Sequence, residues 1–158
     1  DGFGGGRDRA RKLEIMRDSR IGSYGALALV LSLGLRWQGL TILAEQSGVA
    51  AAMALLALGA ASRAGVVLAL ALMPAARSDG LGKAAAEVDG LRAGFALAVG
   101  IGALLAIGAP FAILAMAVAG LALGLLALRQ IGGQSGDVLG ALQQVSEIAG
   151  WVVLSALV

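Results

Sequence analysis

Long apolar stretches alternate with short polar ones along this chain, and the apolar runs exceed eighteen residues several times over. Runs of that length predict membrane-crossing helices rather than a soluble core. Five spans are expected, over residues 21–43, 49–73, 93–109, 111–128 and 138–158. About twenty residues are needed to cross the hydrocarbon, so the third and fourth are marginal in length. Gly108-Ala109-Pro110 reads as a tight hairpin between them. Glycine and alanine are frequent inside the spans ("GALLAIGA", "AVAGLALGLLAL"), and small residues let membrane helices pack closely. No internal repeat is evident. The expected fold is all-α: one integral membrane helical bundle over residues 1–158, with an interfacial polar segment at 1–20 and transmembrane helices and short loops over 21–158.

Composition agrees with that pattern. The chain is 59% hydrophobic and only 14% charged, with a mean hydropathy of +0.89. A soluble domain is usually near half apolar and a quarter charged. A soluble helix bundle is the alternative, but there is too little charge to cover its surface. Cysteine and histidine are both absent. Their absence excludes disulfides, thiolate chemistry, Ser-His-Asp hydrolysis, His-ligated metals and histidine proton relays. Acid–base and metal chemistry must then use carboxylates, and hard oxygen ligands favour Mg²⁺ or Mn²⁺. The net charge of +2 is too small to suggest nucleic-acid binding. The first twenty residues are polar and carry no signal-peptide core. The chain starts at Asp1 without a methionine, inside what reads as a motif, so upstream residues are expected.

Basic residues set the expected orientation. Arg7, Arg9, Arg11, Lys12, Arg17 and Arg20 precede the first span; Arg77, Lys83 and Arg92 follow the second; Arg129 opens the link before the last. Segments 44–48 and 109–110 hold no Lys or Arg. The alternation puts the start of the chain in the cytoplasm and its end outside, with every longer polar loop on the cytoplasmic face. A transporter more often places polar groups near the midplane and on both faces. The asymmetry points to chemistry at the cytoplasmic membrane surface.

Three polar motifs could carry that chemistry. The first is "DGFGGGRDRARKLEIMRDSRIGSYG", residues 1–25. Gly4-Gly5-Gly6 could bring backbone N–H groups close to a phosphate. The stretch "RDRARKLEIMRDSR" reads as a short amphipathic helix along the interface, with Leu13, Ile15 and Met16 as its apolar stripe and Glu14 and Asp18 on one face. A plain basic anchor on anionic lipid is the other reading. Asp1, Asp8 and Asp18 weigh against it, since a metal–diphosphate site needs both signs. The second motif, "PAARSDGLGKAA" at 74–85, sets Arg77, Asp79 and Lys83 around turn glycines; from spacing alone an ordinary loop explains it as well or better. The third, "RQIGGQSGDVLGA" at 129–141, offers Gly132, Gly133 and Asp137, the last also a natural helix N-cap. Inside the spans stand Arg36, Arg63 and Glu147, costly charges there. Arg63 and Glu147 fall at similar depth, roughly 15 Å in, and are expected to pair; alternatively Arg63 turns to the cytoplasm and holds a substrate phosphate. Arg36, nearer the outer end, is expected to snorkel.

These motifs, with the intramembrane "ASRAG", resemble the cobalamin synthase family, the adenosylcobinamide-GDP ribazoletransferases, in order and over essentially the whole chain. The resemblance implies a multi-pass enzyme of the bacterial or archaeal cytoplasmic (inner) membrane. It implies joining of adenosylcobinamide-GDP to α-ribazole or its 5′-phosphate, with release of GMP and use of Mg²⁺. It also implies further aspartates upstream, of which Asp1 matches the last. On this reading Asp1 and Asp8 hold metal. Asp8 or Asp18 binds a second metal or takes the proton of the attacking hydroxyl, and Arg20, Arg63, Arg77 and Lys83 meet phosphate. Gly4, Gly5, Asp79, Gly132, Gly133 and Asp137 line the substrates. The expected partners are these small molecules, membrane lipid and a second copy of the chain. The competing readings are a phosphotransferase acting on CDP-activated alcohols and a non-catalytic membrane transport subunit.

Overall fold

The computed structural model describes residues 1–77 and 88–157. Among them seven helices follow one another: α1 Gly2–Gly5, α2 Arg9–Arg17, α3 Ser23–Gln46, α4 Gly48–Leu72, α5 Gly90–Ala106, α6 Pro110–Ile131 and α7 Gly136–Ala156. The protein is an all-α membrane bundle. Helices α3, α4, α6 and α7 are long and apolar enough to cross a bilayer, while α5 is a shorter apolar helix of 17 residues. The fourth span is longer than its apolar run suggested. Pro110 sits in its first turn, and the helix continues through Arg129 and Gln130 until Gly132 turns left-handed at φ 76. α5 begins early because the Asp89 carboxylate accepts the Arg92 N–H.

The antiparallel pair α4 and α7 forms the centre of the bundle. α3 packs across both, α5 lies on α4, and α6 lies on α7. α5 and α6 touch each other little beyond the turn that joins them. That turn is closed by Gly108, at φ 71, and by the Ala109 N–H on the Leu104 carbonyl at 2.9 Å. Close packing uses small residues, as expected in lipid. Trp151 is fully buried, with its ring against Gly39, while Gly150 admits Leu58 and Met116. Ala54, Ala57 and Ala112 belong to the same cluster. The outward faces carry exposed Leu, Val and Phe side chains, which suits a hydrocarbon solvent.

The first turns of α3, α5 and α7 and the last turns of α4 and α6 share one end of the bundle, and α1 and α2 fold over it. Phe3, Leu13 and Met16 plug that end, packing with Met73 against Ala76, Ala127, Ile131 and Val138.

Candidate active site

The opening segment does not form an open glycine loop. It winds into one helical turn, and the N–H groups of Gly4 and Gly5 point back to the Asp1 carbonyl at 3.1 and 2.8 Å. The expected phosphate cradle therefore has those two donors already engaged. The Asp1 carboxylate turns the other way. It accepts the N–H of Gly22 and of Gly25, each at 2.8 Å, so it caps the first turn of α3 from outside the helix. A Cβ at Gly22 or Gly25 would collide with that carboxylate, which explains two glycines of "IGSYG". The Tyr24 ring, largely exposed, lies against Gly4.

The cationic side chains of this end work partly as staples. Lys12 Nζ donates to the Phe3 carbonyl at 3.0 Å and to Gln130 Oε1 at 2.5 Å, joining α1, α2 and α6. Arg9 Nη2 donates to the Ala76 carbonyl at 3.1 Å. Arg77, expected to meet phosphate, donates from Nη2 to the Leu13 carbonyl at 2.6 Å and so holds α2 down. The second and third motifs are clasped together. The Ala76 N–H reaches the Gln134 carbonyl at 2.7 Å, and the Gln134 N–H reaches the Pro74 carbonyl at 2.8 Å. Gly133 is required there, because a Cβ would run into the Pro74 carbonyl oxygen. Gly132 is needed for its left-handed turn and lies beside the Arg9 guanidinium. The cap of α7 belongs to Ser135, whose hydroxyl accepts the Val138 N–H at 3.4 Å; Asp137, expected as the cap, is instead exposed in the first turn. Asp79 and Lys83 lie outside the described residues.

Of the carboxylates, Asp8 caps α2 through Oδ1, which accepts the Arg11 N–H at 2.9 Å, and its second oxygen has no partner among the described residues. Asp18 does not share a face with Glu14, because α2 stops at Arg17 and Asp18 leaves the helix as its C-cap. Glu14 pairs with Arg11 at 2.7 Å. Both oxygens of Asp18 bond to Arg20, the shortest at 2.6 Å. That hydrogen bonding to Arg20 draws the Asp18 pKa from its ordinary 3.8 down to about 2, and raises that of Arg20. An acid this strong is a poor proton acceptor near neutral pH. A depressed carboxylate pKa gives stability that is present above the unfolded value and lost as pH falls through the folded one. The Asp18–Arg20 link should therefore hold above about pH 4 and fail between there and about pH 2. In Arg20→Gln the Asp18 carboxyl should titrate close to its ordinary value, read by carboxyl ¹³C NMR. An unchanged titration would discount the pair.

The intramembrane charges pair differently from expectation. Glu147, buried in α7, meets Arg36 of α3, with Nη1 to Oε1 at 3.3 Å. Its other oxygen accepts the Ser62 hydroxyl at 2.9 Å and the Gln143 amide at 3.4 Å. Arg63 is exposed and donates to the Gly59 carbonyl of its own helix at 2.9 Å, so it neither pairs with Glu147 nor turns toward the polar end. The reason is angular. Successive helical residues point about 100° apart, so Ser62 and Arg63 cannot both face α7. Matched depth picked the wrong arginine: Arg36, expected nearer the outer end, stands thirteen residues into α3 and Glu147 eleven into α7, counted from the polar end. Arg36 therefore faces inward instead of snorkelling.

A divalent cation is what the acidic motif suggests. Among the described residues no three carboxylates gather where one could be held. Mg²⁺ commonly needs only one or two protein carboxylates, the rest of its shell being substrate phosphate and water. Asp8, with an oxygen free, suits that mode; Asp1 and Asp18 are each engaged on both oxygens, Asp1 by the Gly22 and Gly25 N–H groups and Asp18 by Arg20, and would have to share or exchange a partner for a metal.

Among the described residues, the membrane bundle gathers acidic, basic and glycine-rich segments over one end. Residues 1–155 match the family cobalamin-5-phosphate synthase, and the chain belongs to that family. It is 50% identical over 160 residues to the adenosylcobinamide-GDP ribazoletransferase of Bradyrhizobium diazoefficiens, covering 99% of this chain and 61% of the relative. Against the protein of that name from Mesorhizobium japonicum it is 51% identical, covering 98% and 60%. Against that of Ralstonia nicotianae it is 44% identical, covering 98% and 62%. The chain thus spans about three fifths of the length of the curated relatives it matches. No solved structure matches it.

Proposed function

We propose that the whole protein to which this chain belongs joins adenosylcobinamide-GDP to α-ribazole or α-ribazole 5′-phosphate, releasing GMP. This is the nucleotide-loop assembly step of cobalamin synthesis. The family match over residues 1–155 carries the reading. The shared identity of relatives near half identical, both adenosylcobinamide-GDP ribazoletransferases by name, supports it over CDP-alcohol transfer or a transport subunit. The folding of the first and third polar motifs, with the described start of the second, over one end of the bundle suits it, since a membrane-held substrate must meet a soluble one there.

The chemistry asks for a hydroxyl to attack a diphosphate phosphorus, lose its proton, and expel GMP with the electron pair of the broken P–O bond. Such transfer rests on positioning and charge stabilisation. Asp8 and Asp1 would hold Mg²⁺, which when bound neutralises phosphate oxygens. Alternatively, the unpartnered oxygen of Asp8 would accept the hydroxyl proton instead of binding the metal. Arg20 would meet a phosphate in exchange for Asp18. Gly4, Gly5, Gly132, Gly133, Asp137, Asp79 and Lys83 remain proposed substrate contacts. Arg77 would act through α2, which it anchors. Incubating the purified full-length protein with adenosylcobinamide-GDP, α-ribazole phosphate and Mg²⁺ should yield GMP by mass detection. No GMP at any Mg²⁺ concentration would overturn the reading.

The basic end is proposed to face the cytoplasm of a bacterial inner membrane, because Lys and Arg collect there and are missing from the turn at Ser47. A cysteine at Ser47 should react with an impermeant reagent added outside intact cells, and one at Ser19 should not. The reverse pattern would invert the topology.

A further inference from the structure

The start of α2 holds Arg9, Arg11 and Lys12 and no acid. Cations there oppose the positive end of the helix dipole. Arg11 is neutralised by Glu14 at 2.7 Å, and Lys12 serves the C-terminal end of α6 through Gln130. Arg9 has neither reason, and it stands where the three polar motifs meet. From α2 in the first motif, its Nη2 donates to the Ala76 carbonyl of the second at 3.1 Å. Its guanidinium also lies on Gly132 of the third: a Cβ there would come within 2.9 Å of Nη1 and 3.1 Å of the central carbon.

The same seam holds a second guanidinium. Arg9 and Leu13 are one turn apart on α2, Ala76 and Arg77 are adjacent, and Arg77 Nη2 donates to the Leu13 carbonyl at 2.6 Å. Both arginines bond to carbonyl oxygens, and among the described residues neither meets a carboxylate. Donors are left over. Arg77 Nε is buried without a partner among the described residues. Arg9 is exposed, and its Nε and Nη1 have no partner among them either. Nη2 carries two hydrogens and gives Ala76 one, so a two-nitrogen edge of the Arg9 guanidinium stays open. A staple to one carbonyl needs a single donor, which a lysine would supply. An open guanidinium edge backed by a second cation suits an anion with several oxygens, and phosphate fits that planar fork. Asp8, with its unpartnered oxygen, directly precedes Arg9, so the start of α2 offers both signs that a metal–phosphate group takes.

We infer that Arg9 binds a substrate phosphate: its open edge takes two phosphate oxygens while Nη2 stays on the Ala76 carbonyl, and Arg77 adds positive charge from the same seam. This rests on the reaction proposed above and gives it a phosphate contact beyond Arg20. The phosphate comes from the diphosphate of one substrate or from the ribazole phosphate of the other, which present the same oxygens.

Steady-state kinetics of the full-length protein, beside thermal melts, test this with Arg9→Lys and Arg9→Gln. Lysine keeps the charge and one donor for Ala76, so Arg9→Lys should melt like the wild type yet raise one KM roughly tenfold, because the fork is lost. Arg9→Gln should raise the same KM roughly thirtyfold, the loss of a charged hydrogen bond. A rise for α-ribazole 5′-phosphate, with that for α-ribazole unchanged, assigns the ribazole phosphate. A rise for adenosylcobinamide-GDP with either ribazole form assigns the diphosphate. Wild-type KM values in Arg9→Lys, whatever the glutamine variant does, would reduce Arg9 to a staple and overturn the inference. So would a kcat that falls only in step with melting. Should the wild type make no GMP, the reaction reading fails by itself, and calorimetric titration with inorganic pyrophosphate judges Arg9 separately. Roughly thirtyfold weaker binding in Arg9→Gln would support the phosphate contact; equal affinity, or no binding to the wild type, would overturn it.

Discussion

Asp8→Asn in the full-length protein is expected to slow the proposed turnover about a hundredfold and leave its melting temperature nearly unchanged, because it would remove the proposed metal or proton contact and keep a helix cap. The two effects separate because Asp8 has two jobs on two oxygens. Oδ1 accepts the Arg11 N–H at the start of α2, and the other oxygen is unpartnered among the described residues. Asparagine caps a helix about as well as aspartate, so α2 should stay folded. Asp8→Ala should lose the cap as well, about 1 kcal/mol. Asp18→Asn should affect rate less than Asp8→Asn, since both Asp18 oxygens are held by Arg20. Turnover followed across a Mg²⁺ titration, beside thermal melts, decides the matter. A wild-type rate for Asp8→Asn, or a rate lost only in step with melting, would remove Asp8 from the reaction.

Much of the bundle was legible because a membrane helix declares itself by length and hydropathy. The spans starting near residues 21, 49, 111 and 138 were placed within a few residues, and the turn at Gly108 was read from its glycine and proline. The short helix in "RDRARKLEIMRDSR" was legible from Leu13 and Met16, which do face the bundle. What failed was contact between distant residues. A glycine run permits both an open cradle and a helical turn; the choice was made by the Asp1 carbonyl, which takes the Gly4 and Gly5 N–H groups. Arg77 looked like a phosphate ligand because nothing in its own loop says that the Leu13 carbonyl lies within reach. The roles of Gly22 and Gly25 as the receptor for a carboxylate some twenty residues away had no local signal. Phe3, part of the plug at the polar end, could have been found from its place in an otherwise polar segment.

Glu147→Gln is expected to destabilise the bundle by about 3 kcal/mol, the lower end of the cost of breaking a buried ion pair. The lower end applies because Glu147 is nearly closed off, at 8% exposure, but Arg36 keeps 25%. The loss falls on the arginine. Its Nε and Nη2 are buried without hydrogen-bond partners among the described residues, and Nη1 faces the carboxylate. Glutamine could still take the Ser62 hydroxyl, but would leave a cation within the membrane with no counter-charge. Arg36→Met alone should strand the carboxylate in the same way, with Ser62 and Gln143 softening the loss. Arg36→Met together with Glu147→Leu should recover most of it, since an apolar pair suits this depth. Arg63→Met is the control: among the described residues its guanidinium reaches only the Gly59 carbonyl, so stability should change by well under that of either pair variant. Melting of these four variants, of Glu147→Leu to close the cycle, and of the wild type in one detergent measures all of these. The cycle at Arg36 and Glu147 should show strong coupling, and strict additivity there would refute the pair. A loss in Arg63→Met as large as that in Arg36→Met would show that the wrong arginine had been matched to Glu147.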